Sequence, residues 1–374
     1  MTRLYLAFLV INLLLTACSN NQSLNIIEDP TPTSIINNTN TEGESEEFSI
    51  IIETETDQET EALEPLILDD PIEPEPTPTS SPIFVAEREN IFDLMKKYNY
   101  EDTYHLSDEY WEKLDDRISK YGKAERILAL EFHGDEYDMY DSNYAMSVES
   151  FTKQISELME NDYHFVTVHE LQGFVSGWLD LPKRSVILTT DPGKLVWEST
   201  ERMVQTFTEL DATFGYKPHM ITFIVSYGMN EIENFHCKEN RCWLAYINAV
   251  ESSYFSLGTH THWHNYHDSV TEYSAKLDIQ LSQNLIFENT GIQVYALSWP
   301  YEVCSPYTEM LVNELGITLG FGGVSRPGDN YVQKSDPQFL CMPRLFPENP
   351  NGYSGRPAGN TLQDMLFDAM NTEK

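Results

Sequence analysis

The chain has 374 residues, and its 60 acidic and 23 basic side chains give it a formal net charge of −37 at pH 7. Nucleic acids and anionic lipid headgroups are bound by basic surfaces, so this composition argues against both as partners. Much of the acidic excess lies before residue 86, and it therefore carries little information about a substrate.

The first residues form a predicted export signal. Arg3 precedes an apolar run from Leu4 to Leu15, which is shorter than the roughly 20 residues that a membrane-spanning helix needs. Cys18 directly follows Leu-Thr-Ala, a pattern similar to the bacterial lipobox, in which acyl chains are attached to the new N-terminal cysteine. We therefore predict a lipoprotein signal peptide at 1–17, a lipid anchor at Cys18 and a location outside the cytoplasm, at the cell surface or in the periplasm. An ordinary signal peptide with an incidental cysteine is the alternative.

A polar segment follows. Residues 18–85 are rich in Thr, Pro, Ser, Asn, Glu and Asp, and no Lys or Arg lies between Leu4 and Glu87. Such a segment buries too little apolar surface to offset the entropy of the chain, and its like charges repel one another. We predict an acidic, disordered linker at 18–85, a helical extension at 86–125 and one folded domain at 126–374.

Four cysteines follow Cys18, and they are Cys237, Cys242, Cys304 and Cys341. In an exported protein an even number of cysteines is more often a disulfide framework than a metal site. Four cysteines allow three pairings. The local pairing joins Cys237 to Cys242 and leaves Cys304 for Cys341. Free or metal-bound thiols are the alternative.

Strand and helix patterns alternate through the predicted domain. Amphipathic helices separate predicted strands at 126–132, 185–190, 219–225, 254–258, 294–299 and 318–322. This alternation favours a parallel α/β arrangement, and the number of repeats favours a barrel over an open sheet. In such barrels the chemistry collects at the carboxyl ends of the strands.

Candidate catalytic and metal-binding residues follow two of these strands. Asp191 comes directly after the strand at 185–190, before a Pro-Gly turn. His260 and His264 follow the strand at 254–258. Their i, i+4 spacing on one helical turn lets both imidazoles reach one metal ion.

Aromatic residues lie near these positions in the sequence. The segment Trp299-Pro300-Tyr301 ends another strand, and Trp263 lies between the two histidines. Aromatic faces at the mouth of a cleft suit sugar rings, although such residues are as often part of the core. We expect Trp299, Pro300 and Trp263 to contact a substrate.

The order of these motifs is similar to that of the NodB-type polysaccharide deacetylase family. The matching segments are Thr189-Thr190-Asp191-Pro192-Gly193, then His260-Thr261 with His264, then Trp299-Pro300-Tyr301. The segments Met146–Gln154 and Cys341–Arg344 also resemble the family, so the resemblance covers about 125–350. It implies an α/β fold of the distorted (β/α) barrel type and a divalent metal, usually Zn²⁺, that is held by an Asp and two His.

The resemblance implies a role for each matching residue. Asp191 falls on the position of the general base, His260 and His264 on those of the metal ligands, and Tyr301 on the residue whose backbone N–H faces the oxyanion. In the family the metal polarises the acetamide carbonyl and lowers the pKa of its bound water towards about 7. The implied substrate is an N-acetylated glycan of the cell envelope or an exopolysaccharide.

The chain departs from the family pattern at the third metal ligand. The family has two consecutive Asp residues at the first motif, and the second of them, which binds the metal, is Pro192 here. The candidate replacements are His262, Asp268 and Asp135. Asp191 is a further candidate, but the general base would then be missing.

Two further departures concern proton transfer and the orientation of the base. Many family members have a late His as general acid, yet no His follows His267 in this chain. The Arg that often orients the base at the third motif is replaced by Ser298. We predict that Arg344 serves instead, and that a disulfide between Cys304 and Cys341 ties its strand to the preceding loop.

The sequence therefore predicts a metal-dependent hydrolase that removes acetyl groups from N-acetylated polysaccharide. Two alternatives stay open. A degenerate relative would keep the fold but only bind glycan or scaffold other envelope proteins, and Pro192 favours this reading. A carbohydrate O-acetyl esterase would need less activation of the leaving group and would tolerate a missing acid.

Overall fold

The computed structural model describes residues 82–133, 146–192, 196–227, 229, 237, 240–322, 330–346 and 366. These residues belong to one compact unit, Pro76–Lys374. The predicted signal peptide, the anchor position Cys18, most of the predicted linker and Asp135 lie outside the described residues. Within the described ranges, no helix combines the length and the apolar character that a membrane crossing requires.

Strands alternate with helices along the described residues. The strands are β1 Arg126–His133, β2 His164–Phe165, β3 Ser185–Asp191, β4 Met220–Ile224, β5 Phe255–Thr259, β6 Ala296–Ser298, β7 Leu319–Phe321 and β8 Val332–Gln333. The helices are α1 Pro82–Lys97, α2 Asp108–Tyr121, α3 Val148–Glu160, α4 Val168–Val175, α5 Val196–Phe214, α6 Arg241–Glu251, α7 Glu272–Thr290 and α8 Thr308–Leu315. A 3-10 turn, Pro300–Glu302, follows β6. Each of the six predicted strands is present, with ends that differ from the prediction by one or two residues.

The strands form one curved sheet in the order β7-β6-β5-β4-β3-β1-β8, with β2 beside β3. Neighbouring strands are parallel except that β8 pairs antiparallel with the start of β1. A short late segment links the two sides of the sheet. Its Leu345 pairs in parallel with Leu130 of β1, and its Met342 pairs in parallel with Phe321 of β7. The sheet therefore curves round into a distorted barrel, which confirms the predicted fold class.

Strand β3 shows how the sequence pattern places polar side chains inside this barrel. All seven of its residues are buried. Val186 and Leu188 pack in a hydrophobic cluster with residues of the surrounding helices α3 and α5. Because successive side chains of a strand point to opposite faces, Ile187, Thr189 and Asp191 face the barrel interior. The strand thus delivers a carboxylate to the inside of the barrel at its carboxyl end.

The extension before β1 is part of the same core. The buried residues of α2 are Tyr110, Trp111, Leu114, Arg117 and Ile118. Leu114 lies in one hydrophobic cluster with Ile127 of β1. The hydroxyl of Tyr100 donates to the carbonyl of Leu257 in β5 at 3.0 Å and accepts from its N–H at 3.1 Å. The extension therefore belongs to the folded unit rather than to a separate arm.

We expect Leu114→Ala to lower the free energy of unfolding of the whole domain by about 2–5 kcal/mol, because Leu114 is fully buried in this shared core. The matched control is Leu244→Ala. Leu244 also lies in a helix but is 51% exposed, and surface substitutions usually change stability by less than about 0.5 kcal/mol. Urea denaturation followed by circular dichroism measures both effects. A loss below about 1 kcal/mol at Leu114 would show that the extension does not share the cooperative core.

Both predicted disulfides are present. Cys237 is joined to Cys242 with an S–S distance of 2.04 Å, and Cys304 is joined to Cys341 with an S–S distance of 2.00 Å. The second bond links the segment after the 3-10 turn to the segment that closes the barrel. Free or metal-bound thiols are therefore excluded at these four positions.

Candidate active site

Asp191, His260 and His264 meet at the carboxyl ends of two strands. Asp191 is the last residue of β3, and His260 directly follows β5. The Nε2 atoms of His260 and His264 lie 3.1 Å apart, and the Oδ2 atom of Asp191 lies 3.6 Å from the Nε2 atom of His260. Asp191 and His260 are each only 5% exposed. The structure thus brings together three residues that the sequence predicted from two separate motifs.

A hydrogen bond defines the tautomer of His260. Its Nδ1 atom lies 2.9 Å from the carbonyl oxygen of Ser298. Because a carbonyl can only accept, Nδ1 carries the proton and donates it. In the neutral ring, Nε2 then carries the lone pair on the side of His264 and Asp191, and this is the form of imidazole that binds a metal.

The loop that carries His264 has an unusual backbone conformation. Thr261 and His264 have positive φ angles of 65° and 56°, and such angles cost energy for residues with a Cβ atom. The Asp278 carboxylate of α7 accepts hydrogen bonds of 2.7 Å from the N–H groups of both His262 and Trp263. Asp278 is therefore a positioning residue for this loop, and the motif spacing did not reveal it.

Arg344 holds Asp191 from inside the barrel. Its Nη1 and Nη2 atoms donate to the two carboxylate oxygens at 3.0 and 2.8 Å, and the Ser298 hydroxyl donates to Oδ2 at 3.0 Å. Burial alone would raise the pKa of Asp191, but the charges of Arg344 and His260 outweigh burial and hold this pKa well below its usual range. This is the geometry that the predicted orienting role of Arg344 requires.

Arg344 also contacts two further buried carboxylates. Its Nη2 atom donates to Glu131 Oε1 at 2.9 Å and to Glu302 Oε1 at 2.5 Å. The rings of Phe223 and Phe321 lie 5.8 and 6.0 Å from the guanidinium carbon. Asp191 is the third carboxylate around this guanidinium. The four groups together carry three formal negative charges and one formal positive charge. Such an excess inside the barrel favours the binding of a cation.

The donor atoms at the strand ends fit a divalent cation. Four ligands at about 2.1 Å from Zn²⁺ place neighbouring donor atoms roughly 3.4 Å apart. The observed separations of 3.1 and 3.6 Å lie on either side of that value. Burial and, to a smaller extent, the nearby His260 lower the pKa of His264 to about 4, so its imidazole is neutral at pH 7. His260 is therefore close enough to share an ion with Asp191 or with His264, but among the described residues these three do not form a group whose ligand atoms all lie within 4.8 Å of one another.

Glu131 and His133 extend this cluster, and the sequence analysis missed both. They lie on β1, where His133 is the register partner of Asp191. One potential ligand atom from each of Glu131, His133 and Asp191 lies within 4.8 Å of the other two. A signal was available in the sequence. Glu131 and His133 are two residues apart in a strand that is otherwise apolar after Arg126, so the two side chains share one face.

The other predicted ligands lie elsewhere. The Nδ1 atom of His262 is 2.9 Å from the Ser226 hydroxyl, and its ring packs edge-on against Tyr227. Asp268 is exposed. Neither residue belongs to a three-residue ligand group within the part of the chain that the structure describes, and Asp135 lies outside that part. Among the described candidates for the third ligand, Asp191 belongs to such a group, and its partners there are Glu131 and His133.

The predicted sugar-contacting residues differ in exposure. Trp299 is 1% exposed, its Nε1 atom donates to the Leu340 carbonyl, and Pro300 is buried as well. The structure corrects the expectation for these two residues, because side chains in the core cannot lie against a substrate. Trp263 and Tyr301 are 41% and 47% exposed, so they remain accessible to a ligand.

Tyr301 forms an aromatic surface beside His264. Its ring stacks on that of Tyr266 with a centroid separation of 3.8 Å and an interplanar angle of 7°, and it meets the His264 ring edge-on at 4.6 Å. Tyr301 and Glu302 have positive φ angles of 57° and 62°. The buried contact between Glu302 and Arg344 anchors this strained turn from inside the barrel.

The Cys304–Cys341 disulfide joins the two segments that supply these groups. Cys304 lies two residues after Glu302, and Cys341 lies three residues before Arg344. The bond therefore restrains both partners of the buried ion pair at once.

Comparisons with known proteins match part of the chain to a family model. Residues 179–320 match the family model for polysaccharide deacetylase. The matched segment contains Asp191, His260 and His264 but neither β1 nor Arg344. No curated protein matches the chain.

Several solved structures share the fold. A polysaccharide deacetylase from Bacillus cereus is 16% identical with a TM-score of 0.51, and the match covers 67% of this chain and 70% of that one. The deacetylase PplD from Streptococcus pyogenes, solved with acetate, is 14% identical with a TM-score of 0.51 over 65% and 97% of the two chains. IcaB from Ammonifex degensii is 19% identical with a TM-score of 0.50 over 66% and 98%. At these identities the likeness shows the fold.

Proposed function

We propose that this chain is a metal-assisted hydrolase that removes acetyl groups from an N-acetylated polysaccharide. The family match over residues 179–320 supports a hydrolase that deacetylates polysaccharide, and the deacetylases that share the fold agree with it. The observation that carries the proposal is the cluster of candidate ligands at the strand ends, where Asp191 Oδ2 lies 3.6 Å from His260 Nε2 and a ligand atom of Asp191 lies within 4.8 Å of those of Glu131 and His133.

Each group at the strand ends has a task in this reaction. Asp191, His260 and His264 would contribute ligands to Zn²⁺ or a similar ion, which would supply a positive charge that polarises the acetamide carbonyl and lowers the pKa of a bound water towards about 7. By the family resemblance, the backbone N–H of Tyr301 would face the oxygen on which negative charge develops. The exposed rings of Trp263 and Tyr301 offer apolar faces to sugar rings.

The proposed location follows from the N-terminal sequence. A lipid on Cys18 would hold the domain at a membrane outside the cytoplasm, at the end of the acidic linker. The two disulfides support export, because such bonds persist in oxidising compartments. The substrate would then be an N-acetylated glycan of the cell envelope or an exopolysaccharide.

We expect the metal-stripped full chain to bind Zn²⁺ with a Kd below about 1 μM, or about −8 kcal/mol, in a calorimetric titration. His260→Ala should abolish this binding, because it removes one of three protein ligands. His262→Ala is the matched control and should keep the wild-type affinity, since its side chain contacts Ser226. The loaded chain should release acetate from an N-acetylglucosamine oligomer but not from acetylated xylan.

The other outcomes separate the alternatives. Zn²⁺ binding that survives His260→Ala would contradict the proposed metal site. Binding without acetate release from either substrate would favour a glycan-binding or scaffold protein. Release from acetylated xylan alone would favour an O-acetyl esterase.

A further inference from the structure

Exposed aromatic side chains lie near the carboxyl ends of three neighbouring strands. Strands β4, β5 and β6 lie side by side in the sheet. Tyr227 follows β4, Trp263 and Tyr266 lie in the loop after β5, and Tyr301 lies in the turn after β6. Their exposed fractions are 58%, 41%, 49% and 47% in that order. Single exposed aromatic residues are common, but a group of four beside a candidate site indicates a surface for a ligand.

Tyr266 is the outer ring of a stacked tyrosine pair. The Tyr266 and Tyr301 rings are nearly parallel, with an angle of 7° and centroids 3.8 Å apart. The Tyr301 ring also contacts the ring of His264, whose centroid is 4.6 Å away. Within the described ranges, Tyr301 is the one aromatic ring that Tyr266 contacts. Tyr301 therefore lies between Tyr266 and His264, and Tyr266 extends the aromatic surface away from the histidines.

This order of rings separates two sugar positions. A sugar whose acetamide reaches the candidate metal ligands lies beside His264 and Tyr301. A sugar whose C–H face stacks on the outer face of Tyr266 lies one aromatic ring farther away, so its own acetamide is not the one that reacts in that complex. Two sugars of one chain can occupy both positions at once. Tyr266 is therefore suited to a sugar that neighbours the reacting one.

A second aromatic surface lies on the β4 side of the same loop. The ring of His262 meets those of Tyr227 and Trp263 at centroid distances of 5.7 and 4.9 Å. The Tyr227 N–H donates to the His262 carbonyl at 3.0 Å, and the Ser226 hydroxyl lies 2.9 Å from His262 Nδ1. These contacts fix the loops after β4 and β5 to each other. Aromatic rings thus lie on both the β4 side and the β6 side of the loop that carries His264.

The loop after β5 is held in place by the protein itself. The Asp278 carboxylate accepts from two successive N–H groups of this loop at 2.7 Å. The Tyr266 carbonyl accepts from the Ser269 hydroxyl at 3.1 Å, and the Tyr266 ring is ordered by its stacking on Tyr301. Because these groups are already ordered, a sugar that binds to them loses little affinity to conformational entropy.

We propose that Tyr266 binds the sugar next to the one that is deacetylated, and that the site acts on internal sugars of an N-acetylated chain. This inference rests on the proposed function. The neighbouring sugar stacks on the outer face of Tyr266, and the chain continues past Tyr227 and Trp263 on the other side of His264. A single N-acetylated sugar lacks this neighbour. Tyr266 therefore selects chains over single sugars, and it does so through binding.

Chain length is the variable that tests this role. We expect the zinc-loaded full chain to deacetylate a long N-acetylglucosamine oligomer with a kcat/KM at least about tenfold above that for single N-acetylglucosamine, because neighbouring sugars add binding energy. Tyr266→Ala should lower this ratio of oligomer to single sugar about 3–10-fold, which is the value of one lost aromatic contact. The loss should appear mainly as a higher KM for the oligomer.

Two variants control for other effects of the substitution. Tyr266→Phe keeps the ring and should keep the ratio of wild type. Tyr273→Ala removes another exposed tyrosine, which is 74% exposed in the first turn of α7, and it should also keep that ratio. The thermal midpoint of each variant reports folding.

A calorimetric titration of the oligomer into the metal-stripped chain measures the sugar contact without the reaction. The Kd should rise about 3–10-fold in Tyr266→Ala but not in Tyr273→Ala. If the wild-type chain releases no acetate while this rise in Kd is present, the proposed function fails and the sugar contact at Tyr266 is supported. If Tyr266→Ala keeps the Kd within about twofold of wild type, the inference is wrong, whether or not acetate is released. A wild-type enzyme that deacetylates single sugar as well as oligomer would also overturn it.

Discussion

Replacing Arg344 by Met is expected to lower the free energy of unfolding by about 3–5 kcal/mol at pH 7. Arg344 is 1% exposed and lies between the buried carboxylates of Glu131, Asp191 and Glu302. These carboxylates raise the pKa of the guanidinium well above its usual value even though burial opposes this, so the group stays charged. Met fills a similar volume but leaves three buried carboxylates without their cation. The variant should also lose acetate release, because Asp191 is no longer oriented.

Urea denaturation of the metal-stripped chain at pH 7 measures the stability effect. The matched control is Arg88→Met. Arg88 pairs with Asp108, whose side chain is 84% exposed, and such exposed pairs contribute about 0–1 kcal/mol. The loss of stability in Arg344→Lys should lie between the losses in Arg344→Met and Arg88→Met, since lysine keeps the charge but not the bidentate contact. A loss below about 1 kcal/mol for Arg344→Met would mean that the three carboxylates do not depend on this cation.

Acidification from pH 6.5 to pH 4 is expected to destabilise the domain by several kcal/mol. His169 and His219 are 4% and 1% exposed, and burial is the main reason that the pKa of each falls to about 3. In this pH range the unfolded chain binds a proton at each imidazole while the folded chain does not. Each group therefore lowers the free energy of unfolding by up to about 1.4 kcal/mol per pH unit below pH 6.5. Their contribution to stability is fully present above that pH.

A second group adds to the loss at lower pH. Burial would raise the pKa of Glu170, but the charge and hydrogen bond of His164 and the bond from Tyr110 outweigh burial, and the pKa falls to about 2. A depressed carboxylate pKa contributes stability above the unfolded value, and that stability is lost as the pH falls towards the folded value. His169 and His219 therefore account for most of the loss in the free energy of unfolding above pH 4.5, and Glu170 adds to this loss below pH 4.5.

Urea denaturation at pH 7, 6, 5 and 4 tests this expectation. His219→Gln can keep the contacts that Nδ1 and Nε2 make with the Ser253 carbonyl and the Ser256 hydroxyl at 3.0 and 2.7 Å, but it removes a titrating group. In His219→Gln, the slope of the free energy of unfolding against pH should be smaller than in wild type by up to about 1.4 kcal/mol per pH unit. Leu114→Ala is the control, because it destabilises the domain without removing a titrating group and should keep the wild-type slope. A flat wild-type profile between pH 6.5 and 4 would rule out neutral buried histidines as the cause.

The fold and part of the candidate site were predictable because their signals are local. The alternation of strands and helices is a pattern within short windows, and it indicated each strand to within two residues. Asp191 and His260 could be found because each lies within two residues of the end of a predicted strand, where the chemistry of barrels collects. The disulfide pairing was predictable because only three pairings were available.

The sequence by itself thus determined the barrel class, the strand boundaries and the motif residues Asp191, His260 and His264, because each depends on neighbours along the chain. Only the tertiary structure decided which distant residues share the interior. Arg344 is 153 residues from Asp191, and it reaches that residue because a short late segment pairs with both β1 and β7. The same packing buries Trp299 and brings His133 to Asp191 through strand register. Contacts of this kind depend on how the strands pair and on which elements pack against them. A local sequence pattern contains information about neither.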